Sequence, residues 1–432
     1  MFDTICRQWF VVVFFFFWPL LADDQQQFSI PVVAQQQEKI AIFLGIQGKT
    51  DTDRVCGDLI KKALEFTGQC SVTVETVPDI LAVSELVELN KKGFLYAIFI
   101  ENCPHHMHWR LCDISWPKHI TNKGKRIAKR GDAPRGWAYA VADSLYETLH
   151  SQPGFFSTKI AYVKEIPQKN GRHFTAICMA DYDGSNEEVL VDTATINVSP
   201  RWNNDPKRPL VFYSENTNTN MRMLAVDMHK KRIVASNFDG INMLPTFSAD
   251  GRSVIYCATR GSGNCQLYQW IDKKLKRLTH NEGNNFAPVF AGAQIVYFSS
   301  DFETGKPLIY SYNLATNQIE RITPEGFCVS PTYCSVKRQL GYAKMVNGVM
   351  QLCAYDVASK THRQLSQDTA QKEECVWSPC GTYLLCSVDT GKTSRVALFN
   401  TITGDYHYLT GAQDNCASPS WSGMFGEFPV IV

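Results

Sequence analysis

No surplus of charge marks this chain: 43 Lys+Arg stand against 42 Asp+Glu over 432 residues. It therefore holds neither nucleic acid nor an anionic membrane by its field alone. No apolar run reaches the roughly 20 residues that a spanning helix needs; the run Trp9–Ala22 stops at 14. Cys-x-x-Cys is absent, which argues against zinc ribbons and thioredoxin-like chemistry. Neither Gly-x-Ser-x-Gly nor His-Glu-x-x-His occurs, so two common hydrolase signatures are missing as well. What remains is 44% apolar, 20% charged and 12% aromatic, a globular composition. Such a length suits two domains, or one domain plus a repeat array.

The N-terminus speaks for export. Arg7, the apolar stretch FVVVFFFF (10–17) and Leu20-Leu21-Ala22 before Asp23 have the layout of a secretory signal peptide, with cleavage expected after Ala22. Asp3 and Leu20 are imperfect for that role, and an uncleaved N-terminal anchor is the alternative. Fourteen of the 15 cysteines lie beyond that point. In an oxidising compartment some of them pair, while others on strands serve as small apolar filler. Cys257 and Cys265, on two strands joined by Gly261-Ser262-Gly263, are the most tempting pair.

An internal period organises the second half. A small residue, proline, any residue and an aromatic recur as SPRW (199–202), LPTF (244–247), APVF (287–290), SPTY (330–333) and SPSW (418–421), with CVW (375–377) carrying Cys375 in the proline place. The aromatics are 45, 43, 43, 44 and 44 residues apart. Ser-x-x-Gly turns follow at 248–251 and 378–381, then a second and a third strand. The fourth strand ends at Leu278-Thr279, Ile322-Thr323, Leu365-Ser366 and Leu409-Thr410. Four short strands per roughly 44 residues is the pattern of a propeller blade. SPSW has no strands after it, and KIAYV (159–163), FTAICMADYDG (174–184) and EEVLVDT (187–193) have no inner strand before them. The expected array has six blades, the last closed by one C-terminal strand joined to those three, so that no open edge is left.

Residues 39–153 read as a small α/β domain on a mixed sheet. Strands are expected at 39–44, 71–75, 94–101 and 108–114, and helices at 53–66, 79–90 and 137–149. The whole is α+β in two domains: signal peptide 1–22, flexible segment 23–38, α/β domain 39–153 and propeller 154–432.

Three stretches invite chemistry. Gly45-Ile46-Gln47-Gly48-Lys49-Thr50 sits between a strand and a helix, but a phosphate loop needs four residues between its glycines, and here there are two. A strand-to-helix turn is the reading. Cys103, His105, His106, His108 and Cys112 lie within ten residues without a standard ligand spacing, so no metal and no cofactor are expected. Lys123, Lys125, Arg126, Lys129 and Arg130 suit a solvated edge strand, where lysine discourages edge-to-edge pairing; contact with an acidic envelope component is the sharper alternative.

Taken together, the small α/β domain, six blades, and the stretches GWAYAVADSLYETLHSQPGFFSTKIAYV (136–163), DYDG (181–184) and SPSW resemble one family over essentially the whole mature chain. The sequence resembles TolB, the soluble periplasmic component of the Tol–Pal cell-envelope system of Gram-negative bacteria. The resemblance implies a non-enzymatic monomeric scaffold supporting outer-membrane integrity and constriction during division. Its partners would be the peptidoglycan-associated lipoprotein (Pal), TolA and further outer-membrane proteins, with no nucleic acid and no membrane span. TolA would take the N-terminal segment through Phe28, Ile30, Val32 and Val33. Pal would dock over the channel mouth, where the loop from each outer strand meets the next inner strand. Three places before the proline stand Asn197, Asn242, Asn285, Cys328, Lys372 and Cys416. The asparagines form either a polar rim or tight turns; with Ile241, Met243 and Phe286 as exposed apolar neighbours, Asn197, Asn242, Asn285, Met243 and Phe286 are the candidate Pal contacts. A propeller enzyme or receptor using the central channel is the alternative from another class.

Overall fold

The computed structural model describes residues 39–423, apart from 117–119, 130–132, 168–172, 204, 206, 218 and 262, together with the backbone of 430–431. The expectations for the signal peptide, for the segment with Phe28, Ile30, Val32 and Val33, and for Arg130 fall outside these residues.

Strand β1 (Ile40–Gln47) is buried along most of its length, as a strand covered on both faces must be. It pairs in parallel with β2 (Cys70–Val77) on one side and β3 (Tyr96–Asn102) on the other. Strands β4 (His106–Asp113) and β5 (Thr121–Ala128) continue antiparallel. Helix α1 (Asp51–Phe66) follows β1, α2 (Val83–Lys91) follows β2, and α3 (Pro134–His150) leads towards the blades. The turn before α1 is closed by its own capping box: Asp53 N–H donates to Thr50 Oγ1 at 3.2 Å and Thr50 N–H to the Asp53 carboxylate at 2.9 Å. Basic strand β5 lies at the sheet's side and is mostly exposed. Val430–Ile431 pairs with it antiparallel, opposite Ile127 and Arg126, a pairing with no signal in the sequence.

Six four-stranded antiparallel sheets follow. The closing one has the order Cys416–Trp421, β6 (Lys159–Pro167), β7 (His173–Asp181), β8 (Glu188–Val191), the one-plus-three closure expected from the repeat. The inner strands of the other five blades are Ile196–Trp202, Asn242–Phe247, Asn285–Ala291, Cys328–Cys334 and Gln371–Trp377.

The repeat motifs now have physical meanings. Each Leu/Ile–Thr/Ser pair anchors the fourth strand to the third. The Thr or Ser hydroxyl accepts the N–H of Leu267, Ile309, Leu352 or Val396 at 2.9–3.2 Å, and the preceding residue's N–H donates to the same residue's carbonyl at 2.8 Å. In the turns, Ser248 and Ser378 hydroxyls accept the N–H of Ser253 and Tyr383, and Gly251 and Gly381 supply the left-handed φ of +69° and +70°.

Candidate functional site

The inner strands surround the channel, and all six carry the same defect. The residue before the proline position (Ser199, Leu244, Ala287, Ser330, Glu374, Ser418) takes a left-handed φ of 50–54°. Pairing with the second strand shifts register there in every blade, which is a β-bulge. Side chains just past the bulge tie blades together. Thr246 Oγ1 accepts from Phe290 N–H, Thr332 Oγ1 from Trp377 N–H, and Ser420 Oγ from Trp202 N–H, at 3.1–3.3 Å. The last of these closes the ring. At another junction Glu374, in the blade with Cys375 in the proline place, accepts Ser418 N–H at 2.6 Å and Ser418 Oγ–H at 2.7 Å.

Three residues before the proline position, every side chain is interior: Asn197, Asn242, Asn285, Cys328, Lys372 and Cys416 are all 0% exposed. The Asn242 amide donates to the Phe238 and Met221 carbonyls and accepts from Ser236 Oγ. The Asn285 amide donates to Asn281 Oδ1 and accepts from Ser300 Oγ. The Asn197 amide donates to the Thr175 carbonyl and Thr193 Oγ1. Lys372 does the same work with a cation, folding back to Asp368 and the Ala370 carbonyl. These side chains fasten the rim loops from within. Met243, Phe286 and Ile241, expected to be exposed, are half-buried, because they also pack on the core of the second to fourth blades.

One residue nearer the proline stand Val198, Met243, Phe286, Ala417 and Glu373, all half-buried, and Val329, which is buried. Five are apolar and one is acidic. Deeper lies Arg201, whose guanidinium donates to the Pro200 carbonyl at 2.8 Å. Burial works against its charge, and Glu374, two blades away around the ring, supports it. Burial, followed by the charges of Glu374 and Asp389, pushes the Glu373 carboxyl up from 4.5 to about 7. A carboxyl raised in the folded state favours folding below its ordinary value and loses that contribution as pH rises to about 7. The thermal midpoint is therefore expected to fall between pH 5 and pH 7.5, and Glu373→Gln to flatten part of that fall in calorimetry.

The opposite face meets the α/β domain. The inner strands end there, as do β7 and the loop into the strand Tyr383–Asp389. DYDG is the clamp. Asp181 takes Arg135 at 3.1 Å and Lys159; Asp183 takes Lys62 at 2.6 Å. Tyr182 is fully buried among Phe66, Tyr139, Phe155 and Phe156, with centroids 5.0–5.7 Å apart. A Cβ on Gly184 would stand 2.2 Å from the Leu409 carbonyl, so only glycine fits. Tyr383 Oη–H donates to the Thr67 carbonyl at 2.9 Å across the same boundary. Nothing in the sequence marks these aspartates as interdomain anchors, because their partners lie 46 and 121 residues away.

Among the described residues, no group of three or more His, Cys, Asp or Glu is placed to hold a metal ion, and no helix is long and apolar enough to cross a membrane. His106 and His108 both sit on β4, and the His108 imidazole lies 3.6 Å from Glu101.

Comparison with known proteins bears on the whole. A sequence-family profile described as TolB beta propeller domain matches residues 146–425. The Tol-Pal system protein TolB of Francisella tularensis subsp. mediasiatica is 27% identical over 326 residues, 72% of this chain and 73% of that protein. The protein of the same name from Gluconobacter oxydans is 30% identical over 148 residues, 34% of this chain and 32% of its own. The crystal structure of TolB from Acinetobacter baumannii superposes with a TM-score of 0.75 at 21% identity, covering 90% of this chain and 98% of that one. At that identity the superposition speaks for the fold.

Proposed function

The chain belongs to the TolB family, and from this premise we propose that it is an exported, non-enzymatic scaffold of the Tol–Pal system in the periplasm. In this reading it binds the peptidoglycan-associated lipoprotein over the channel mouth and TolA through its N-terminal segment, and so supports outer-membrane integrity and constriction during division.

One observation carries the lipoprotein part. Around the mouth remote from the α/β domain, half-buried Val198, Met243, Phe286 and Ala417 follow loops that are held by buried hydrogen bonds. A preorganised apolar centre with polar surroundings is what a protein partner needs. Met243 and Phe286 are the anchors; Asn197, Asn242 and Asn285 position them. In a binding assay with purified lipoprotein, Met243→Ala and Phe286→Ala each weaken affinity by about 1–2 kcal/mol while the thermal midpoint stays within a few degrees. Asn242→Ala and Asn285→Ala, which strand buried backbone groups, lower stability by about 1–3 kcal/mol. Affinity unchanged in both anchor variants would move the docking face elsewhere. Deleting Asp23–Gln36 removes TolA capture and leaves lipoprotein capture intact; TolA capture by the deleted chain would refute the tail's role.

A second reading, a channel receptor for a small anion, has Arg201 in its favour. Arg201→Met separates the two: it abolishes small-anion binding and leaves lipoprotein affinity unchanged.

A further inference from the structure

The fourteen cysteines past the leader are free thiols, and all but Cys103 are buried. Several come close in pairs, and the sheet register decides which can bridge. Cys178 and Cys416 lie on the two strands flanking β6, opposite Tyr162 and Lys164. Cys328 and Cys353 flank the strand Gln339–Val346 in the same way. Two strand spacings are about 9.5 Å, well outside the Cα separations a disulfide spans. Cys375 and Cys386 are on neighbouring strands, but the Cys375 thiol is turned to the Ser330 carbonyl of the adjacent blade at 3.8 Å. Cys380 faces the Ser378 hydroxyl at 3.2 Å, and Cys334 accepts the Lys337 N–H at 3.4 Å.

Cys257 and Cys265 differ. Cys257 is on the strand Ser253–Ala258, and Cys265 immediately precedes that strand's hairpin partner Gln266–Ile271. Cys257 is opposite Leu267, so Cys265, two residues before Leu267, shares its face of the sheet as a diagonal neighbour. Cys257 and burial together act on the Cys265 thiol, which places the two side chains within electrostatic reach of each other. Both belong to one apolar cluster, at 0% and 8% exposure. The chain reverses between them through left-handed φ at Gly261 and Gly263 (+76° and +75°), which glycine adopts freely, and at Arg260 (+26°).

We propose that Cys257 and Cys265 are a disulfide-forming pair, a covalent staple within the second blade. Both Sγ–H bonds break and one Sγ–Sγ bond forms. Two protons leave, and two electrons pass to the disulfide of a thiol–disulfide exchange partner, which departs as two thiols. The position of the staple gives it a consequence. Cys257 pairs with Met243 and its thiol donates to the Met243 carbonyl at 3.2 Å. The Cys265 carbonyl accepts Asn285 N–H at 2.7 Å, and its own N–H donates to Asn284 Oδ1 at 3.1 Å. The bond therefore joins, from beneath, the two rim segments that carry Met243 and Phe286. Thiolate formation is disfavoured at Cys265, where the Cys257 contact and burial push the thiol well above its ordinary range. Exchange is accordingly slow in the folded chain and fast when the hairpin opens.

The test needs no partner protein and is independent of the Tol–Pal reading. The purified full chain is incubated with oxidised glutathione, natively and in sub-denaturing urea, then acid-quenched, alkylated and mapped by mass spectrometry. The expected result is a loss of about 2 Da located in one crosslinked pair of peptides containing Cys257 and Cys265, faster by at least tenfold in urea. The oxidised chain should melt a few °C higher. Cys257→Ala and Cys265→Ala each remove both the crosslink and the shift. Full alkylation of both cysteines under both conditions overturns the proposal. So does a crosslink from either one to any other cysteine.

Discussion

A chain ending after Thr410 loses cooperative folding. Such a chain lacks the strand Cys416–Trp421, which supplies the inner strand of the closing blade and pairs with β6. Its removal leaves the inner side of β6 unpaired, and an uncovered strand edge is both a loss of ladder bonds and a template for aggregation. Tertiary contacts go with it. Trp421 Nε1–H donates to Thr158 Oγ1 at 2.7 Å, and its ring lies 5.9 Å from Phe155. Ser420 accepts Trp202 N–H from the first blade, and the Glu374 bridge to Ser418 disappears. Trp421→Ala alone is expected to cost about 3–5 kcal/mol, the range for a large buried aromatic. Deleting the strand exceeds that, and the chain should show a broad thermal transition and dye-accessible apolar surface. A sharp transition near the wild-type midpoint would mean that the ring closes without its last strand.

Replacing Tyr182 by alanine is expected to cost about 3–5 kcal/mol as well, for a different reason. Its ring is shared between two domains: Phe66 and Tyr139 come from α1 and α3, while Tyr182 follows β7. The deletion opens a cavity at the boundary, with Lys62–Asp183 and Arg135–Asp181 left as partly exposed ion pairs. Such pairs contribute little by themselves. The thermal profile should therefore fall and also separate into two transitions, one for each domain. Tyr182→Phe is the control. The Tyr182 hydroxyl is buried without a hydrogen-bond partner, so removing it is expected to leave stability unchanged or slightly raised. A single lowered transition in the alanine variant would show that the domains stay coupled through Tyr383 and Thr67.

The propeller was legible in the sequence because its signals are local. A proline-aromatic element every 43 to 45 residues, a hydroxyl after an aliphatic residue at the end of four blades, and Ser-x-x-Gly turns in two all act within one four-stranded unit. Hydrogen bonds such as Leu267 N–H to Thr279 Oγ1 span only 12 residues. Counting strands then forces the one-plus-three closure, since an inner strand without partners and three strands without an inner one must meet.

The rim was legible in position but not in role. Asn197, Asn242 and Asn285 were identifiable as one structural place, but turn former and contact residue look alike in sequence. Only the folded chain shows Lys372, chemically unlike asparagine, spent in the same way on its own loop, and thereby identifies the place as interior. The interdomain role of Asp181 and Asp183, the support that Glu374 gives the charge of Arg201 two blades away, the strand Val430–Ile431 beside β5 and the influence of Cys257 on Cys265 were likewise decided by tertiary structure. The physical reason is range. A strand's period and a turn's residues are fixed by backbone sterics and burial over a few positions, so sequence determines the blades. Which side chain meets which between blades or between domains depends on how those units pack.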